Sequence, residues 1–283
     1  MRTKIANLIM IISLISLTSC SGVFPVHAGD TKEKRFDETD SSKDIINFND
    51  YTISKVMEKE GKKGKVIIKK NDKVVMNFSK CENGEFSNLI DIKGVTSSIG
   101  KELVVFQQAE GTHGSEYLWV IKLDNEPKII FDSEKWDLDT YFLYSDLDGD
   151  GKNEIIASTR KYDYRITRHD FVAYPLFIFG FDEKLGTYVP ANEKYFEYTY
   201  KMYNEMKKDE KKIQNNDDES LKWAKLRDAI VSLYMYSLAG RMEKAGESFK
   251  EEYKYEDQEK LLIMFARDIK SNPVYIYTNQ QLK

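Results

Sequence analysis

Between Tyr51 and Val189 the chain alternates short β-branched and aromatic runs with Gly, Asn and Asp at intervals of roughly ten residues, a rhythm that admits few folds. Lys65-Val66-Ile67-Ile68 and Val74-Val75-Met76 flank Asn71-Asp72, which reads as a hairpin turn. Leu103-Val104-Val105-Phe106, Tyr117-Leu118-Trp119-Val120-Ile121, Lys128-Ile129-Ile130-Phe131, Glu154-Ile155-Ile156-Ala157 and Leu176 to Phe181 are further runs of strand length. Polar and apolar residues alternate cleanly in only some of them, which predicts several strands buried on both faces. The signal changes after Pro190. A Lys/Glu/Tyr/Met-rich run ending near Lys212 carries Tyr195, Tyr198, Met202 and Met206 along one side, and residues 214–218 break it. Leu226, Ile230, Leu233, Tyr234 and Ser237 recur at helical spacing before Gly240. Leu261, Leu262, Phe265 and Ile269 form a last amphipathic helix that Asn272-Pro273 ends. The expectation is an α+β chain, with an antiparallel β-rich meander over 51–190 and a helical region over 191–283.

The segment before Tyr51 has a different character. Arg2 and Lys4 precede an apolar run from Ile5 to Leu17, 13 residues long. That is too short to cross a ~30 Å hydrocarbon core as a helix and suits a signal peptide. Leu17-Thr18-Ser19-Cys20 follows, an aliphatic residue and two small ones before a thiol. It resembles the lipobox of bacterial lipoproteins, which implies a signal peptide over 1–19, lipidation of Cys20, and an extracytoplasmic protein anchored to a membrane of the bacterial cell envelope. The alternative is ordinary cleavage after Val26-His27-Ala28. Residues 20–50, rich in Ser, Asp, Lys, Glu and Thr, read as a flexible tether. In either case Cys81 lacks an intrachain partner, and reads as a small buried side chain or as a free thiol.

Charge removes some functions. The chain of 283 residues has 43 Lys+Arg against 47 Asp+Glu, and loss of residues 1–19 takes the formal charge from −4 to −6. No basic field exists for nucleic acid phosphates. Aromatics at 13% are ample for a core and too many for a disordered chain. Two Cys make neither a disulfide scaffold nor, alone, a zinc site.

Asp146-Leu147-Asp148-Gly149-Asp150-Gly151-Lys152-Asn153-Glu154 is the most specific motif in the chain. Carboxylates of Asp146, Asp148 and Asp150 would converge in a tight turn that the glycines permit. The Lys152 carbonyl and the Glu154 side chain would complete an oxygen cage suited to Ca²⁺. The other reading is a solvated Asp-Gly turn. An EF-hand is not expected, since Ala157 stands where its bidentate Glu belongs and the flanks read as strands. The loop is similar to the calcium loops of FG-GAP/VCBS repeats, in which a strand follows directly, here from Ile155-Ile156. Glu154 stands where Asp is usual, and weak extracellular-type affinity of ~10⁻⁴–10⁻³ M is expected. The motif occurs once, so the resemblance implies a partial-propeller-like arrangement and not a full propeller. The wider order, from Gly111-Thr112-His113-Gly114-Ser115 through the calcium loop to Phe177–Lys184 and the helices, resembles exported bacterial proteins of unknown function. That implies fold and export, not activity.

Catalytic signals are sparse. His113 sits in a Gly-rich loop between Glu110 and Glu116, and His169 lies near Arg160, Lys161 and Arg165, a small anion-binding patch or a solvated loop. No Gly-x-Ser-x-Gly, His-Glu-x-x-His, Walker or dinucleotide-binding pattern occurs. The expected function is a lipid-anchored binding or structural protein with one stabilising calcium loop and a protein or glycan partner. The alternatives are an envelope hydrolase acting on polysaccharide or peptidoglycan, and an inhibitor or chaperone of secreted enzymes. Lipidation has a direct outcome: the wild type is expected to partition into the detergent phase and Cys20→Ala into the aqueous phase. A mature N-terminus at Gly29 would overturn it.

Overall fold

The structure, a computed structural model, describes residues 34–36, 44–57, 64–78, 86–97, 101–109, 115–163, 165–168, 171–213 and 218–281. Cys20, His27, Cys81, His113 and His169 lie outside the described residues, as does the expected signal peptide.

Three antiparallel sheets follow one another along the chain. The first joins β2 (Ile45–Phe48), β3 (Tyr51–Met57), β4 (Gly64–Lys70) and β5 (Lys73–Phe78) in sequence order. The second joins β6 (Phe86–Lys93), β7 (Glu102–Ala109), β8 (Glu116–Leu123) and β9 (Pro127–Asp132) in the same way. The third runs β10 (Thr140–Ser145), β11 (Glu154–Ser158), β12 (Phe177–Asp182), β13 (Thr187–Pro190), with β1 (Lys34–Arg35) added beside β10. The hairpin expected at Asn71-Asp72 forms with φ of 48° and 64°, the pair of positive values that a type I′ turn requires.

The middle sheet has apolar side chains on both faces, which is why its runs show no clean alternation. Val104, Phe106, Leu118 and Val120 are buried with Phe131, Phe142 and Phe177 against the third sheet and the helices. Leu103, Val105, Trp119 and Ile121 point the other way, into a second cluster with Tyr51, Ile53, Val66 and Ile68 of the first sheet. The sheets therefore stack in chain order, first against second and second against third. The β-rich part followed by C-terminal helices matches the α+β expectation.

One expectation needs correcting. The stretch 20–50 was expected to be a tether, yet β1 pairs with β10 through Lys34↔Tyr144 and Arg35↔Leu143, and Ile45–Phe48 forms β2. Phe36 is fully buried, donates its N–H to the Phe142 carbonyl at 3.3 Å, and holds its ring 4.7 Å from that of Tyr144. A lone aromatic among charged residues carries no periodicity, so only the sheet edge it fills reveals its role.

The helices are α1 (Phe196–Ile213), α2 (Asp218–Leu238), α3 (Met242–Glu252), α4 (Gln258–Ser271) and α5 (Pro273–Gln281). Gly240, at φ 74°, stops α2 with paired bonds to the Ser237 and Tyr236 carbonyls from its own N–H and that of Arg241, a Schellman ending. Two helices went unread in the sequence. In α3 the buried residues are Ala245, Ser248 and Phe249, a stripe too narrow to stand out. Pro273 ends α4 and also begins α5, where Asn272 Oδ1 accepts the Val274 N–H at 2.9 Å. Buried Leu226, Ile230, Leu233 and Tyr234 of α2 belong to the same core cluster as the third sheet. The Tyr234 hydroxyl lies 2.8 Å from that of Tyr162, which also donates to Asp268 of α4 at 3.2 Å. Phe36→Ala should cost about 3–4 kcal/mol in denaturant unfolding, as a buried aromatic does, whereas a tether residue would cost under about 0.5 kcal/mol.

Candidate metal centre

The loop 146–153 joins β10 to β11, and strand pairing decides its ends. Ser145 sits opposite Glu154 in the register, so Asp146 and Glu154 are brought together before any side chain is considered. Gly149 and Gly151 have φ of 78° and 85°, a left-handed backbone that lets the chain reverse within this short span. The reversal turns three N–H groups inward: the Asp146 carboxylate accepts from Gly149 at 2.8 Å, Asp150 at 3.2 Å and Gly151 at 2.9 Å.

Asp146, Asp148 and Glu154 each present an oxygen to a common point, with these atoms within 4.8 Å of one another. Asp150 lies outside that group, and its Oδ1 accepts the Lys152 N–H at 2.8 Å. The Lys152 ammonium pairs with Glu183 at 2.6 Å, on the turn after β12. Glu154 is the deepest member, 3% exposed, with Oε2 accepting the Leu147 N–H at 2.9 Å. Burial pushes its carboxyl above the usual range, because a charge is costly where water is excluded.

Two further residues complete the surroundings, and the sequence had not marked either as part of a site. Lys194 Nζ stands 2.6 Å from Asp148 Oδ2, and the Tyr195 hydroxyl donates to the same oxygen at 3.0 Å. Both precede α1. The Lys194 ammonium holds the Asp148 carboxyl below its ordinary value, and the Lys194 amine is itself raised by the same contact. Tyr195 is pushed up, first by burial and then by the neighbouring Glu154. Neither residue carries a local signal, since Tyr195 reads as the start of a helical stripe and Lys194 as one charge among many.

The loop is also bound to the β6–β7 connection and to β13. Asn153 Nδ2 donates to the Val95 carbonyl at 2.9 Å, and the Tyr188 hydroxyl donates to the Asn153 carbonyl at 3.0 Å. Glu102, 3% exposed, accepts the Val95 N–H at 2.9 Å and so fixes the segment that Asn153 rests on. The donor set is three hard carboxylate oxygens around one point, a group that could hold a metal ion. Asp146, Asp148 and Glu154 would hold the ion.

The patch read at Arg160, Lys161 and Arg165 lines a cleft of about 680 Å³, shared with Glu134, Asp137, Asp139 and Asp163. Carboxylates interleave with the cations there, which removes the single-sign field that an anion site needs.

Lys194→Met is expected to lower the melting temperature in chelator by about 1–3 °C, an exposed ion pair being worth ~0.2–1 kcal/mol. Adding calcium should restore more to this variant than to the wild type, measured by thermal unfolding; an equal response would show that Lys194 does not share the cluster's charge. No family model, no curated protein and no solved structure matches this chain.

Proposed function

We propose that the chain is a lipid-anchored extracytoplasmic binding or structural protein of a bacterial envelope, with a calcium ion bound at 146–154 to stabilise it. The observation that carries the calcium reading is the convergence of Asp146, Asp148 and nearly buried Glu154 within 4.8 Å. Carboxylates so placed repel one another, and the repulsion is strongest beside the desolvated Glu154. When bound, calcium would neutralise that charge and hold the β10–β11 loop closed. The chain's own residues supply the rest: Gly149 and Gly151 shape the turn, Asn153 fixes it to the β6–β7 connection, Tyr188 of β13 holds the Asn153 carbonyl, and Tyr195 ties it to the start of α1. The ligands thus sit where two sheets and the helical region meet, and a cation there braces all three.

The anchor and the export reading rest on Leu17-Thr18-Ser19-Cys20. No helix among the described residues is long and apolar enough to cross a membrane. Formal charge of −4 continues to argue against a nucleic acid partner. The hydrolase alternative has the cleft beside Asp139 in its favour. A carboxylate acting as general acid needs an apolar pocket that keeps its proton, whereas Tyr117 and Leu138 are the main apolar side chains of this lining.

Calcium at ~10–100 times a dissociation constant of ~10⁻⁴–10⁻³ M should add about 1.4–2.7 kcal/mol, raising the melting temperature of the chelated protein by about 3–10 °C. Asp148→Ala should abolish the rise. Absence of any shift in the wild type would sink the metal reading.

A further inference from the structure

The first sheet has one face in the core, and no other described element covers the second. Register decides which side chains are outside: Ile45 is aligned with Ser54 and Ile67, and Lys69 with Val74, while Tyr51, Ile53, Val66 and Ile68 face the second sheet. Ile45 is 62% exposed, Val74 58% and Val75 43%, and the bulge between Ile68 and Lys69 is what turns both valines outward. These are three of the seven exposed large apolar side chains among the described residues, and they lie at the two edges of one sheet.

Charge on this sheet runs against the rest of the protein. Its four strands contain five Lys and no Asp or Glu, in a chain of formal charge −4. Lys55 and Lys70 turn to Asp44 and Asp50 at 3.2 and 3.4 Å. Lys65 and Lys69 belong to the outward register beside Ile67. The result is an outer face with apolar edges and the half-buried Lys65 and Lys69 between them.

We infer that this face docks on an anionic phospholipid bilayer surface. Lysines would meet the headgroup phosphates while Ile45, Val74 and Val75 enter the boundary beneath. Area argues against a protein partner: strands ~4.8 Å apart rising ~3.3 Å per residue give about 300 Å², against the ~800 Å² that each side of a stable protein pair buries. A contact that small holds only where something else keeps the surface near. Lys34 lies fourteen positions beyond Cys20, a span of at most ~50 Å, so a lipid on Cys20 would supply that high effective concentration. Proximity to a bilayer therefore rests on the anchored reading, whereas the chemistry of the face does not.

The test uses the mature chain with Cys20→Ser, which carries no lipid, in co-sedimentation with mixed phosphatidylglycerol/phosphatidylcholine vesicles and with phosphatidylcholine alone. Binding to the anionic vesicles only is expected, weakening as salt rises. Lys65→Gln with Lys69→Gln should reduce it about tenfold or more. Ile45→Thr with Val74→Thr, which keeps β-forming residues at exposed positions, should also reduce it with the melting temperature unchanged. Equal binding to both vesicle types, none to either, or indifference to both pairs of substitutions would overturn the inference. Concentration-dependent dimerisation lost in the Thr pair, without vesicle binding, would overturn it in favour of a second copy. Detergent partitioning of the wild type reads the anchor separately. A chain that partitions yet ignores anionic vesicles refutes the face alone, and the converse refutes the anchor alone.

Discussion

The architecture depends on one sheet being apolar on both sides. Strands β7 and β8 send Val104, Phe106, Leu118 and Val120 to one neighbour, and Leu103, Val105, Trp119 and Ile121 to the other. A sheet built that way cannot stand at a surface, so the first and third sheets have to cover it. Each covering sheet is then left with its own outer face. The third finds the helices, with the Tyr234 ring of α2 set 6.0 Å from that of Phe177 in β12. The first keeps its outer face in solvent, and there the side chains become lysines and threonine among a few exposed apolar groups.

The same stacking explains where the acidic loop sits. It hangs from the β10–β11 hairpin, but its fixed points come from elsewhere: Val95 before β7, Tyr188 in β13, and Lys194 with Tyr195 ahead of α1. The geometry of the carboxylate cluster is therefore a product of how sheets and helices meet. A free turn of identical sequence would have Asp146 and its three N–H contacts, yet would lack the burial that sets Glu154 apart.

Legibility in the sequence followed the range of the signal. Strand rhythm, the Asn71-Asp72 turn and the stop at Gly240 are local, because backbone sterics at those residues decide them whatever surrounds them. Two-sided burial in β7 and β8 was readable from continuous apolar runs. Phe36 was not, since one buried ring among charges leaves no period. The α3 helix was hidden by its small apolar stripe, and α5 by a proline whose N1 role looks, from the sequence, like a stop. In the acidic loop, spacing identified Asp146, Asp148 and Glu154 and could not tell that Asp150 turns to Lys152. Lys194 lies 46 positions beyond Asp148, and nothing in either neighbourhood pairs them.

The fixed points of the acidic loop have a kinetic meaning. Asn153 reaches back 58 positions to Val95, and Tyr195 reaches back 47 to Asp148. Contacts of such separation form late, after the loop-closure entropy of the intervening chain has been met. A chain emerging unfolded, with β11 made but α1 still absent, would own the acidic motif without its site. A cation held by the loop would be gathered by the finished molecule and not by the nascent one, in whichever compartment folding ends.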